Sequence, residues 1–169
     1  MSDAPGMPHE DAPKESPQVS GKRRRAAARL ASVQALYQMD VAGKGVNEVL
    51  AEFETHWIGQ EVEGVEYEQA DLEFFRRVIS GVLSEQVELD RAANKLLSEG
   101  WPLRRIEAVM RAIFRAAGYE LKKRKDIPAR VVITEYVDVA AAFLAKEEVG
   151  MINAVLDKLA RDYRASEFA

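Results

Sequence analysis

The chain contains no cysteine, which excludes disulfides, thiolate catalysis and Cys-based zinc sites. Its only histidines, His9 and His56, have no metal-ligand partner at helical spacing. Both read as ordinary side chains, and no metal is expected. No apolar run approaches the roughly 18 residues of a membrane span. The first residues carry Asp3, Glu10 and Asp11 without an apolar stretch, unlike a secretory signal, so a cytoplasmic protein is expected. The phosphate-cradling G-x-x-x-x-G-K, the dinucleotide G-x-G-x-x-G and the nucleophile elbow G-x-S-x-G are all missing. The expectation is a protein that is not an enzyme and carries no cofactor.

Proline is scarce beyond the N-terminus, because four of the six prolines lie within residues 1–21. That stretch has almost no large apolar side chain to offset its ordering entropy, so it reads as a disordered, acidic tail. The last few residues, 166–169, read as a second short tail. Between them, residues 22–165 are expected to form one compact domain. The 169-residue length and 47% hydrophobic content suit a sizeable core.

The pattern after Lys22 is helical almost throughout. Leu30, Val33, Tyr37 and Val41 make one stripe of a first helix. Gly43 and Gly45 end it, and Asn47 is the expected N-cap of a second helix. Asp71 is the expected cap of a third, with Leu72, Phe75, Val78, Ile79, Val82 and Leu83 on its apolar face. A short helix over about 89–98 follows, then one that buries Ile106, Val109, Met110, Ile113, Phe114 and Ala117. Ile127-Pro128 breaks the chain. Val132, Tyr136, Val139 and Phe143 mark the next helix, with Gly150 separating it from a last one carrying Ile152, Val155, Leu156, Leu159 and Tyr163. The class is all-α, with about seven helices.

The net charge of −4 does not announce a nucleic-acid partner, but the charges are segregated by sign. Residues 45–75 have no Lys or Arg and nine acids, whereas Lys22, Arg23, Arg24, Arg25 and Arg29 place five cations in eight residues. Guanidinium groups bind phosphates bidentately and stack on bases, so this run is a candidate RNA- or DNA-binding element. A solvated helix end explains it equally well. A second cluster is Lys122, Lys123, Arg124, Lys125 and Arg130, partly accounted for by its place at a helix C-terminus. Arg111 is expected to pair with Glu107 four residues before it.

Several segments, in a consistent order from about residue 22 to 163, resemble the NusB family. They are Ala28-Arg29 with Val33-Gln34-Ala35-Leu36-Tyr37, then Arg115 with Tyr119-Glu120-Leu121, then Asp126-Ile127-Pro128. Val132-Ile133, Glu135 and Phe143 follow, and Asn153 with Val155-Leu156-Asp157-Lys158 closes the series, with Ala154 where Gly is usual. The resemblance implies two packed three-helix bundles forming one compact domain. It implies a transcription antitermination factor that binds boxA RNA of nascent ribosomal RNA leaders together with NusE, a small-subunit ribosomal protein, within the RNA polymerase antitermination complex. Members occur as monomers and as homodimers. By position, Lys22, Arg23, Arg24, Arg25, Arg29 and Gln34 would contact RNA. Tyr37, Glu147 and Met151 would contact NusE. Glu147 stands where Asp is familiar, Met151 where Phe is, Gly150 where Lys is frequent, and Ala26 and Ala27 replace arginines found in some members. Other readings are a NusB-like RNA-binding accessory module related to those of ribosomal RNA methyltransferases, a helix-turn-helix DNA regulator and a helical protein-binding adaptor. No Gly-rich βαβ unit follows in the chain, which argues against the first, and no recognition-helix pair is evident for the second.

Overall fold

The computed structural model describes residues 17–59, 71–97 and 107–168. Among these residues the chain forms α-helices and no strand. They are α1 (Pro17–Ala42), α2 (Val46–Gly59), α3 (Leu72–Leu97), α4 (Ala108–Lys123), α5 (Ala129–Phe143) and α6 (Lys146–Tyr163). A terminal 3-10 turn spans Ala165–Phe168. Helices α1, α2 and α3 pack on one another, as do α4, α5 and α6. Helix α4 also packs on α1 and α3, so the two three-helix groups share one core.

Local chemistry explains most boundaries. Gly43 takes a left-handed φ of 66° after the end of α1, where glycine has no Cβ penalty. Asp71 caps α3 as expected, its Oδ1 accepting the Phe74 N–H at 3.0 Å. Pro128 precedes α5, and Arg130 to Thr134 are helical. The Ala145 N–H donates to the Glu148 carboxylate at 3.1 Å where α6 begins.

Other boundaries differ from expectation. Helix α1 already begins at Pro17, inside the expected tail, where proline's fixed φ suits a first helical turn. Helix α2 starts at Val46, its first bond running from Val49 N–H to the Gly45 carbonyl, so Asn47 lies within the helix. The expected third and fourth helices are one, because no Gly or Pro breaks the period that continues through Val82, Leu89, Ala93 and Leu97. Gly150 lies inside α6, because the break comes earlier, at Leu144 and Ala145. Trp101, Pro102 and Ile106 lie outside the described residues.

The first helix buries a different face from the one expected. Ala28, Ala31, Val33, Ala35 and Leu36 are buried, while Leu30, Tyr37 and Val41 are exposed. The inward face is mostly small, which suits close packing against α3 and α4, and Val33 and Leu36 are its large apolar members. Ser32 is also buried there, its hydroxyl satisfied by the Ala28 carbonyl at 2.8 Å.

The C-terminal residues are not a free tail. Arg164 is buried and donates to the carbonyls of Leu121 (2.6 Å), Ile127 (2.9 Å), Glu120 (3.1 Å) and Arg124 (2.8 Å). The Glu120 carbonyl also accepts from the Arg124 N–H and the Arg124 carbonyl from the Ile127 N–H, so Arg164 takes up their second acceptor sites. Glu167 completes the clamp, accepting from Arg164 at 2.8 Å and from the Ala129 N–H at 3.2 Å. The end of α4, the start of α5 and the end of α6 are thereby held as one corner.

Helices α3 and α4 cross at Gly81, where an added methyl would overlap the ring of Tyr119, itself almost fully buried. Gly81→Ala should therefore destabilise the fold by about 1–3 kcal/mol despite alanine's better helix propensity. Urea denaturation checks this. A more stable variant would contradict the close crossing.

Candidate nucleic-acid interface

The basic end of α1 is fixed in place by the start of α3. The Asp71 N–H donates to the Arg24 carbonyl at 3.2 Å, while the Asp71 side chain caps Phe74. Phe74 is buried beneath the arginines. The guanidinium groups of Arg25, Arg29 and Arg124 lie 5.4, 5.1 and 5.2 Å from its ring centroid. A ring face attracts cations at this range, so one aromatic side chain draws together arginines from α1 and from the α4–α5 turn. One member of the second basic cluster, Arg124, is therefore brought beside the first.

The three arginines have different surroundings. Arg29 is only 2% exposed and Glu120 is fully enclosed. Arg29 forks onto Glu120, with Nε to Oε2 at 3.0 Å and Nη2 to Oε1 at 2.9 Å, and Glu135 lies 4.0 Å from Nη1. Tyr136 is fully buried beside this pair, and burial followed by the Glu120 charge pushes its hydroxyl well above the usual tyrosine range. Arg29, expected on an exposed RNA-binding face, is thus an interior residue that ties α1 to α4. Arg124 forks onto Asp126 with two bonds of 3.0 Å, and this holds the Asp126 carboxyl down at about 2. Arg25 is partly exposed and has no carboxylate in ion-pairing range among the described residues. Lys22, Arg23 and Arg24 are exposed on the preceding turn.

Lys122 and Lys123 of the second cluster face α3. Lys122 pairs with Glu85 and Glu88, and Lys123 lies 3.4 Å from Glu85, joining α4 to α3. Arg111 pairs with Asp40 at 3.0 Å rather than with Glu107, and Arg115 forks onto Asp90 at 2.9 Å. Their charges bind helices together. Among the described residues no cluster of His, Asp and Glu is arranged to hold a metal. No described helix is long and apolar enough to cross a membrane.

A family model described as the NusB family matches residues 26–161. The chain belongs to the NusB family. A transcription antitermination protein NusB of Nitrobacter hamburgensis is 62% identical over 146 residues, covering 86% of this chain and 91% of that protein. One from Rhodopseudomonas palustris is 56% identical over 166 residues, covering 98% and 95%. Among solved structures, T. maritima NusB superposes with a TM-score of 0.69 at 28% identity, covering 85% of this chain and 96% of that one. The antitermination factors NusB and NusE, solved in complex with dsRNA, include a chain that matches with a TM-score of 0.68 at 21% identity, covering 83% and 98%.

The residues singled out by resemblance to NusB proteins fall in separate places. Gln34 does not join the arginines. It lines a groove of about 940 Å³ together with Val33, Tyr37, Phe53, Val109 and Phe143. Tyr37 and Phe143 are 41% and 46% exposed there; the sequence pattern puts Phe143 on an apolar stripe, and Tyr37 is expected both on such a stripe and as a partner contact. Glu147 is exposed one turn before Met151 on α6, and Met151 is half-buried against the core. Sequence reasoning missed the role of Phe74 and the partners Glu120 and Arg164. Glu120 carried a signal: it follows Ile113 and Ala117 on one apolar helix face, where a carboxylate requires a buried cation.

Removing one member of the buried pair leaves an uncompensated charge. Arg29→Ala should therefore destabilise the protein by about 3–5 kcal/mol, and the double variant Arg29→Met with Glu120→Leu should recover most of that loss. Chemical denaturation of the three proteins tests it. A fully stable Arg29→Ala variant would show that the pair is dispensable.

Proposed function

We propose that this NusB-family chain is a transcription antitermination factor that binds single-stranded boxA-type RNA through the N-terminal half of α1 and acts together with NusE. The observation that carries this reading is the arginine-rich end of α1, anchored at Arg24 and Phe74 and left open at Arg25. Such a surface neutralises phosphates and releases counterions without requiring any reaction. The protein works as a binding factor and not as an enzyme, in the cytoplasm, as part of the RNA polymerase antitermination complex. The RNA contacts are Lys22, Arg23, Arg24 and Arg25, with Arg29 supporting them from inside.

For NusE, the reading takes Tyr37 with Glu147 and Met151. Tyr37 gives this surface an exposed aromatic anchor, the residue type that dominates protein interfaces. The NusE pairing comes from the relative solved with NusE and dsRNA, and it is carried to this chain as a proposal.

Two experiments test the two surfaces separately. Replacing Arg23, Arg24 and Arg25 together by Ala should weaken boxA RNA binding at least about tenfold and flatten the salt slope by about 2, since each phosphate contact on a single strand contributes about 0.7. The fold should survive, because the Arg24 contact to Asp71 uses the backbone, and a thermal melt checks that each protein is folded. An unchanged affinity and slope would reject the site. Tyr37→Ala should reduce NusE affinity by about 2 kcal/mol in isothermal titration while leaving RNA binding by the free protein intact. Normal NusE binding by this variant would move the partner surface elsewhere.

A further inference from the structure

The turn between α4 and α5 adds a residue to the RNA surface that lies about 100 positions from the arginine-rich helix. Arg124 is stacked on the same Phe74 ring as Arg25. Its backbone is held on both sides: its N–H donates to the Glu120 carbonyl at 2.9 Å, and its carbonyl accepts from Arg164 at 2.8 Å. The side chain is therefore presented from a rigid corner, and less of its motion remains to be lost on binding. Its Nε and Nη2 point at two oxygens 3.0 Å away, those of Asp126. Two parallel N–H donors facing two anionic oxygens is equally the geometry of a guanidinium on a phosphodiester.

Asp126 is only two residues along the chain and its side chain is 60% exposed. The Arg124 side chain is 15% exposed, so solvent reaches the fork from the carboxylate's side, and an incoming anion displaces Asp126 only where it gains a second contact such as that of Arg25. The field of Arg25 also reaches Asp126, so both arginines act on the same anion position. Arg29, the third guanidinium on the ring, already has its own buried carboxylate.

We propose that Arg124 is a phosphodiester-binding residue that works with Arg25, and that Asp126 occupies its fork in the free protein until an RNA phosphate displaces it. This rests on the RNA-binding reading of the α1 surface. It adds a second, sequence-distant contact and an internal competitor for it.

The test is fluorescence anisotropy of the full chain with a boxA-containing single-stranded RNA oligonucleotide, from about 50 to about 200 mM KCl. Arg124→Ala should weaken binding about tenfold and lower the salt slope by about 0.7, one phosphate on a single strand. Arg124→Lys keeps the charge without the fork. It should retain the slope and fall between the two affinities. Asp126→Asn removes the competing charge and should tighten binding severalfold. Lys123→Ala, whose ammonium is held by Glu85, should bind as the wild type does. Circular dichroism melts establish that each variant is folded. If the Arg124→Ala protein fails to fold, the Lys and Asn variants carry the test. Wild-type binding with no response to Arg124→Ala or Asp126→Asn would overturn this inference alone. An Asp126→Asn variant that binds more weakly would overturn the displacement. A wild-type chain with no salt-dependent RNA binding would overturn the RNA reading and this inference with it.

Discussion

The ion pair between Arg29 and Glu120 is the constraint on which the rest of the architecture turns. It places a guanidinium and a carboxylate in an interior from which water is excluded, and neither is tolerable there without the other. Because Arg29 belongs to α1 and Glu120 to α4, the pair fixes the rotation and register of α1 against the central helix. That rotation puts the small side chains Ala28, Ala31, Ser32 and Ala35 inward. It also directs Arg25, one turn earlier, along the same edge toward Phe74. The carbonyl of the same Glu120 is held by Arg164, so the pair and the C-terminal corner are joined through one residue. The charged interior thus determines how the charged exterior is presented.

Much of this was legible in the sequence, and the parts that were not have a common cause. Helices whose apolar period contains large residues, such as α4 with Ile113 and α6 with Ile152, Val155, Leu156 and Leu159, were read correctly because hydrophobic burial selects their face. Helix α1 was read a face out of turn. Its buried side holds only Val33 and Leu36 among alanines, a serine and an arginine, and periodicity of bulky side chains has little power over such a face. The cap at Asp71 was visible because capping is a contact three residues long. The Arg29 pair spans 91 positions and the Arg164 clamp about 40, and local pattern carries no record of contacts that distant. At the candidate site, the basic run of α1 was evident. Its companionship with Arg124 was not, since it depends on an aromatic ring that looked like ordinary core.

The distribution of charge also explains how a chain of net charge −4 can present a cationic surface. Many of its cations are neutralised where they stand. Lys122 and Lys123 face Glu85, Arg111 faces Asp40, Arg115 faces Asp90, and Arg164 is enclosed by carbonyls and Glu167. These pairs contribute no net field to an approaching polyanion. Acid is concentrated in the sequence stretch 45–75, which includes α2 and reaches the basic end itself at Asp71. At physiological ionic strength a field decays over about 8 Å, so an anionic strand responds to the face it approaches and not to the net charge of the molecule. The cations at the end of α1 therefore act through their local field. A polyanion reaching that end would meet this field first, so electrostatics would favour one approach before any base is read.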